Sequence, residues 1–301
     1  MQLTPDIIAG SIFALLGSTL YAFSVVIYRS QSKEIRPLWI ASIKMWVALG
    51  LMTFLFVLPL GIAPFAVPIE STLLLITSVV LGAVVGDTVY LISQERIGVS
   101  YAFPISMSFP ILTYFLTIAF LGEPLILSRL VGVVLAVSGI VLLSREQKQQ
   151  EEEKEQSHKF DWIGVSLAIV TAVLYAVGTT VLQVGVTDVE PVAATFIRAV
   201  FGSIAFAPMV AILVHQGMPS PTRRATKVVA IAGFFGMALG SILYVSAVKY
   251  AGAAITSVLA STAPLWAVPI SIFYLKESIS RVAAIGILAT IAGVILVVLG
   301  I

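Results

Sequence analysis

The chain alternates between long apolar runs and short polar breaks, and the length of the runs is its clearest structural signal. Each run is close to the roughly 20 apolar residues that an α-helix needs to cross a bilayer. Bounded by charges, Pro or Gly, the runs predict ten membrane-spanning helices, at 6–28, 37–60, 71–94, 99–121, 125–144, 161–183, 191–214, 226–249, 252–275 and 279–300. The pattern is typical of an all-α polytopic membrane protein.

The composition narrows the possible functions of such a protein. Only 11% of the residues are charged and the mean hydropathy is +1.08, whereas soluble domains carry about 25% charged residues. The 17 basic and 15 acidic residues nearly cancel without forming a basic patch, so nucleic acid is not expected as a partner. The absence of cysteine excludes disulfide scaffolds, Cys-ligated zinc and thiol catalysis.

A strongly polar segment divides the chain into two halves. Residues 145–159 hold nine of the 32 charged residues, and they are interpreted as a solvated or partly helical linker, with a partner-binding segment as the alternative. The predicted domains are therefore a first five-helix unit at 1–144, the linker at 145–160 and a second five-helix unit at 161–301.

The two halves are related by an internal repeat. When the chain is shifted by 154 residues, Gly, Pro, Tyr and charged positions align without a gap, including Gly10 with Gly164, Tyr21 with Tyr175, Pro37 with Pro191, Lys44 with Arg198, Gly82 with Gly236, Tyr90 with Tyr244, Pro110 with Pro264 and Glu123 with Glu277. Because five is odd, the second unit starts on the opposite side of the membrane from the first. The sequence thus predicts two inverted repeats, the architecture of alternating-access transporters.

Three charged residues fall well inside the predicted spans, where ionised groups are costly and are functional candidates by default. Lys44 and Asp87 are at equal predicted depth, which permits an ion pair; snorkelling of Lys44 to the interface is the alternative. Arg198 is the repeat-mate of Lys44, but Ser241 stands where Asp87 would be. An unpaired guanidinium facing a cavity suits a carboxylate or phosphate, so a functional Arg198 predicts an anionic or zwitterionic substrate; snorkelling of Arg198 to the interface is the alternative.

Further candidates are polar or helix-breaking residues inside the spans. Pro110 and Pro264 are expected to kink spans four and nine, because each removes a backbone donor, and to act as gates on the translocation path; a purely structural kink is the alternative. Four tyrosines lie inside spans rather than at the interface, so each needs a hydroxyl partner or faces a cavity. The candidate substrate-binding set is completed by Ser106, Ser261, Tyr21, Tyr90, Tyr175 and Tyr244.

Enzymes that act inside membranes are disfavoured by missing motifs. There is no H-E-x-x-H sequence, and His158 and His215 both lie outside the spans. Asp87 is the one mid-span aspartate, whereas an aspartyl dyad needs two. No phosphate-cradling G-x-x-x-x-G-K-[ST] loop occurs. We therefore expect no catalytic residue, metal or cofactor, and a gradient as the source of energy.

Two paired motifs resemble a known family. Phe120-Leu-Gly-Glu123 and Tyr274-Leu-Lys-Glu277 each close the fourth predicted helix of their unit, with Pro110 or Pro264 ten residues upstream of the motif, at the same 154-residue offset. Together with the five-plus-five duplication, they resemble the drug/metabolite transporter superfamily, specifically its EamA-domain proteins. The resemblance implies an inner-membrane carrier, often an exporter of amino acids or other small metabolites, with a cavity between the halves. Glu123 and Glu277 are interpreted as structural.

The leading hypothesis is a gradient-driven transporter of a small polar metabolite, such as an amino acid or organic anion, acting by alternating access. Asp87, if unpaired in one state, is the candidate carrier of a coupling proton. An uncoupled facilitator or channel on the same scaffold is one alternative, and a non-transporting scaffold or sensor is another.

The distribution of Lys and Arg predicts the orientation in the membrane. Thirteen of them fall in loops on one side and two, Arg129 and Lys249, on the other. The positive-inside rule puts the richer side, with the linker at 145–160, in the cytoplasm and both termini outside. Many proteins of the resembled family are understood to have cytoplasmic termini, so this orientation is a departure from that pattern.

A reporter at the C-terminus tests this orientation. We expect a periplasmically active reporter fused after Ile301 to give signal and a cytoplasmically active one to give none, because the basic loops resist translocation. Signal from the cytoplasmic reporter alone would contradict the assignment.

Overall fold

The structure is a computed structural model that describes residues 4–31, 34–58, 66–97, 99–152, 161–263, 265–266 and 281–300. In this part of the chain the regular elements are all helical. The helices are α1 (Pro5–Gln31), α2 (Pro37–Val57), α3 (Ile69–Val79), α4 (Asp87–Ile97), α5 (Val99–Ser106), α6 (Phe109–Leu121), α7 (Leu127–Glu152), α8 (Trp162–Val186), α9 (Pro191–His215), α10 (Arg223–Gly233), α11 (Gly240–Ala260) and α12 (Arg281–Leu299).

Seven helical stretches in the described residues are long and apolar enough to cross a membrane. They are Pro5–Val25, Pro37–Val57, Ile69–Ile97, Tyr101–Leu121, Trp162–Val186, Pro191–His215 and Arg223–Ala260, and two shorter apolar helices follow the same pattern at Leu127–Leu142 and Ala284–Leu299. The predicted count of ten stays a prediction, because much of the ninth span, residues 264 and 267–275, lies outside the described residues. The first part of the linker, 145–152, continues α7 as helix.

Prolines and a capping residue mark where several of these helices begin. Pro37 and Pro191 occupy the first turns of α2 and α9, where a missing backbone N–H costs nothing. Asp161 caps α8 by accepting a hydrogen bond from the Ile163 backbone N–H at 2.8 Å. Arg96 also donates to Asp161 at 3.1 Å, and this hydrogen bond is the main reason that the pKa of Asp161 lies below its ordinary value. The contact joins the first half of the chain to the start of the second.

Two π-helical segments interrupt the third and eighth predicted spans. The first segment is Val80–Gly86, between α3 and α4, and the second is Phe234–Leu239, between α10 and α11. They start 154 residues apart, as do α3 and α10, so the interruption belongs to the repeated unit. A π-helical turn adds a residue to the helical register and is frequent at functional sites. Asp87 directly follows the first segment, and its repeat-mate Ser241 lies two residues after the end of the second.

Helices of one half pack mainly on helices of the other half. The first-half helix α1 lies against α10, α11 and the second π segment, and its repeat-mate α8 lies against α3, α4 and the first π segment. The repeat-mates α2 and α9 pack on each other, and so do α7 and α12. The halves are therefore one interlocked body, with α1 and α8 exchanged between them.

The contact between α7 and α12 depends on glycines. A Cβ placed on Gly132 would lie 2.8 Å from both the Gly293 carbonyl oxygen and the Leu296 Cβ, so the two backbones touch where a side chain would not fit. Gly139 approaches Gly286 and Thr290 in the same way one heptad later. Small residues at this spacing allow close helix packing in lipid, where apolar burial alone does not hold helices together.

The chain turns sharply at Gly252, within α11. Its φ of 81° lies in the left-handed region that glycine adopts without strain, so this residue separates the eighth predicted span from the ninth. Gln183 of α8 accepts a hydrogen bond from the Ala253 backbone N–H at 2.6 Å and donates to Glu123 at 3.1 Å. Glu123, the acidic residue of the first paired motif, thus takes part in a contact that anchors the turn, which agrees with a structural role.

The glycine contact predicts a specific loss of stability. We expect Gly132→Ala to destabilise the protein by about 1–3 kcal/mol, because the new methyl group overpacks the α7–α12 contact. The matched control is Gly50→Ala on α2, where nothing lies within 4 Å of an added Cβ, and it is expected to cause no loss. Thermal unfolding in detergent measures both; equal stability of the two variants would contradict the packing role of Gly132.

Candidate functional site

A cavity of about 230 Å³ lies between the two halves and is lined by residues of both. This is somewhat smaller than the roughly 300–1,000 Å³ of pockets for drug-sized ligands, so it suits a small metabolite. Its walls come from α1–α4, α6, α8, α9, α11 and the two π segments. The polar lining residues are Ser18, Tyr21, Lys44, Ser78, Asp87, Tyr175, Thr179, Arg198, Ser241 and Tyr244.

Lys44 and Asp87 form an ion pair in the wall of this cavity. The Lys44 Nζ lies 2.8 Å from the Asp87 Oδ2, and the Tyr175 hydroxyl donates to the other carboxylate oxygen, Oδ1, at 2.8 Å. The Lys44 and Asp87 side chains are only 13% and 23% exposed. Both oxygens of Asp87 are therefore bound by protein groups, one from the first half and one from the second, which compensates the cost of placing the charges inside a span.

Backbone geometry brings these three residues together. Asp87 directly follows the first π segment, whose last residue is Gly86. A Cβ on Gly86 would lie 2.9 Å from the Cε1 atom of Tyr175, so glycine at this position lets the tyrosine ring cross to Asp87. The ring also packs edge-on against Phe109, with centroids 5.8 Å apart. Tyr21, the repeat-mate of Tyr175, lines the same cavity.

Arg198 is a cation that lacks an acidic partner in the described part of the chain. Its Nη1 donates a hydrogen bond to the Ser78 hydroxyl, and its Nε is buried without a hydrogen-bond partner. The Ser78 hydroxyl in turn donates to the Leu75 carbonyl at 2.8 Å, so it offers Arg198 a neutral oxygen only. Tyr244 lies nearby and shares a 2.8 Å hydrogen bond with Thr179.

The lining of the cavity therefore has an excess of positive charge. Lys44 is neutralised by Asp87, and Arg198 faces the cavity with neutral neighbours. Two cations and one carboxylate line the described walls. A guanidinium with unused N–H donors in such a cavity is suited to bind a carboxylate or phosphate.

The structure does not bring every sequence candidate to this cavity. Tyr90 packs beside Ile97, Ala102 and Ala168 rather than in the cavity wall. The Ser106 hydroxyl is buried and donates to the Ala168 carbonyl at 3.3 Å. The Ser261 hydroxyl is likewise buried and donates to the Ser257 carbonyl at 2.9 Å, within its own helix. Both serine hydroxyls are thus satisfied by backbone carbonyls and not by the cavity, which the spacing along the chain does not reveal.

The expected proline kink differs from the observed break. The fourth span is split into α5 and α6 by a turn at Met107 and Ser108, and Pro110 lies in the first turn of α6, where its missing N–H has no cost. The break turns Met107 and Phe109 into the cavity wall. Pro264 lies outside the described residues. The gating role of both prolines stays a prediction.

Several cavity residues escaped the sequence analysis. Ser78, Thr179 and Ser18 are ordinary hydroxyl residues in spans, and such residues usually bond within their own helix, so nothing in the sequence marks them. The glycines of the two π segments did carry a signal. Gly82 and Gly236 align in the repeat, and both line the cavity, as does Gly240 at the start of α11.

The fold and cavity define a polytopic membrane protein with a solute-sized chamber between two related halves. The model of the EamA-like transporter family matches residues 8–145 and 162–299, so the chain belongs to this family and carries two EamA repeats. It is 23% identical over 296 residues to a protein of Archaeoglobus fulgidus described as an uncharacterized transporter, across 96% of this chain and 97% of that one. One solved crystal structure has the same fold, with a TM-score of 0.79 over 97% of both chains at 14% identity.

A double-mutant cycle tests the ion pair in the cavity wall. We expect Lys44→Met to destabilise the protein by about 3 kcal/mol, because it leaves a largely buried carboxylate without its cation. Asp87→Asn should also destabilise, whereas the double variant should lose at least about 1 kcal/mol less than the sum of the single losses. Additive losses in thermal unfolding would show that the two charges act independently.

Proposed function

We propose that this protein is a secondary transporter for a small metabolite that carries a carboxylate or phosphate group, such as an organic anion or an amino acid. The observation that supports this most strongly is Arg198, a cavity-facing guanidinium with no acidic partner in the described residues. The family membership makes the protein a membrane transporter, and the size and charge of the cavity favour a small anionic or zwitterionic solute.

We propose further that transport occurs by alternating access between two inverted five-helix repeats, ten spans in all. The start of α2, α3 and α7 at the same 154-residue offset from α9, α10 and α12 supports the repeat. The exchange of α1 and α8 between the halves supports a chamber whose two sides are built alike. A midplane chamber between inverted halves is the arrangement that rocking of one half against the other opens in turn.

The proposed location and direction rest on the distribution of basic residues and on the family resemblance. The proposed site is the inner cell membrane, with the linker in the cytoplasm and the termini outside. Export is the proposed direction, on the resemblance to metabolite exporters alone. Asp87 is the candidate for a coupling proton, and a state in which Lys44 and Tyr175 release it would be required.

Two other functions are distinguished by transport measurements. An uncoupled facilitator would equilibrate the solute across the membrane but would not accumulate it when a gradient of protons or of a second solute is applied. A non-transporting scaffold or sensor would leave uptake and efflux unchanged on deletion. The formed cavity with its unneutralised arginine favours transport over the scaffold.

Removal of the arginine tests the proposed function. In proteoliposomes offered radiolabelled lactate, succinate, phosphate or alanine, we expect the wild type to take up at least one of them and Arg198→Ala to lose that uptake by at least about tenfold, because a charge-assisted contact is removed. Arg198→Lys should retain part of the activity through its charge.

The matched control is Arg96→Ala, which removes an arginine that is 44% exposed and lies outside the cavity. We expect it to insert and transport like the wild type. Normal uptake by a correctly inserted Arg198→Ala variant would remove Arg198 from the binding site.

A further inference from the structure

We propose that this transporter is an exchanger of anions, which returns across the membrane efficiently only when it carries an anion. The proposal rests on the transport function proposed above and concerns what limits the return of the empty protein. It is carried by an asymmetry between the two repeats. At the repeated position, Lys44 is paired with Asp87. Arg198 has no acidic partner in the described residues, and Ser241 stands at the position that corresponds to Asp87.

The positive charge of Arg198 has no counter-ion in the described wall of the cavity. Asp87 is the one carboxylate among the described lining residues, and its two oxygens are bound by Lys44 and Tyr175. The Ser78 hydroxyl binds Arg198 but is neutral, and Thr179 and Tyr244 are hydrogen-bonded to each other. No salt bridge to Arg198 is found among the residues that the structure describes.

This charge matters most when the cavity is closed to both sides. While the cavity is open, water can solvate the guanidinium. In an occluded intermediate the same charge is enclosed between apolar spans, where desolvation is costly without a partner. On the scale of membrane insertion, an arginine at the centre of a span has a cost equivalent to about a hundredfold in a rate or equilibrium constant.

A bound anion removes this barrier and the empty protein retains it. A carboxylate or phosphate monoanion at Arg198 would make the enclosed cavity neutral, so the loaded protein can pass through the occluded state. A zwitterion would bring an ammonium group with its carboxylate and leave the total charge positive. We therefore infer that monoanions on both sides support fast exchange and that zwitterions support it less well.

The experiment compares exchange with net uptake in proteoliposomes. Radiolabelled lactate, succinate and phosphate are offered separately to vesicles that contain the same unlabelled anion and to vesicles that contain none. Valinomycin with equal potassium on both sides holds the membrane potential near zero, so that charge movement does not limit net uptake. We expect uptake into anion-loaded vesicles to be about a hundredfold faster for the transported anion. Loading with alanine should stimulate less than loading with lactate.

The outcomes separate this inference from the proposed function. Equal uptake into loaded and empty vesicles would overturn the exchange mechanism and leave anion transport intact. Accumulation in empty vesicles driven by an imposed proton gradient would also overturn exchange. Failure of all three anions to enter either kind of vesicle would overturn the proposed anion transport itself, and exchange with it.

A single substitution is designed to convert exchange into net transport. Ser241→Asp would place a carboxylate at the repeat equivalent of Asp87, in the same cavity as Arg198, which corresponds to Lys44. We expect it to lower the ratio of exchange to net uptake by at least about tenfold, because the empty cavity would become neutral. Ser241→Asn is the matched control, since it changes the side chain almost equally without a charge, and it should keep the high ratio.

An unchanged ratio in a Ser241→Asp variant that elutes as a single species and unfolds cooperatively would overturn the inference. Should that variant not fold, the comparison of loaded with empty vesicles decides the question for the wild-type protein.

Discussion

A charge inside a bilayer needs a partner, because the surrounding hydrocarbon offers none of the solvation that water gives. The charge of the cavity wall depends on how this protein meets that requirement at two positions that the repeat relates. Lys44 is neutralised by Asp87, which is itself held by Tyr175 from the other half. Within the described residues, the one hydrogen-bond partner of the Arg198 side chain is the Ser78 hydroxyl. The first position thus contains its own counter-ion, whereas the second has none among the described residues, and a bound anion is its proposed partner.

Close backbone contact is the second constraint on the structure. The apolar surface of a helix gains little from leaving lipid, so helices associate where small residues let their backbones touch. Gly132 and Gly293 serve this purpose between α7 and α12, whereas Gly86 opens space for a tyrosine to cross between the halves. The same residue type thus packs the periphery and shapes the site. Its role depends on whether a neighbouring helix or the cavity faces it.

The course of the helices was largely predictable from the sequence, and their irregularities were not. The predicted starts at 37 and 191 coincide with Pro37 and Pro191, because proline in a first turn and the length of an apolar run are local signals. The π segments at Val80–Gly86 and Phe234–Leu239 interrupt runs that look uniform in composition. The fourth span likewise breaks at Met107 and Ser108, before Pro110, and not by a kink at the proline itself. Such breaks depend on the helices packed against them, which a linear pattern does not specify.

For the site, the sequence alone identified the three charged residues within the spans, Lys44, Asp87 and Arg198, because lipid tolerates few charges. The repeat also showed that Ser241, and not an acid, aligns with Asp87. Only the tertiary structure decided which other polar groups join them. It brought Tyr175, Ser78 and Thr179 to the cavity and directed Ser106, Ser261 and Tyr90 into helix contacts. The physical reason is that a charge within a span stands out in the sequence wherever it occurs. A hydroxyl can either bond within its own helix or face the cavity, and the packing of neighbouring helices decides between the two.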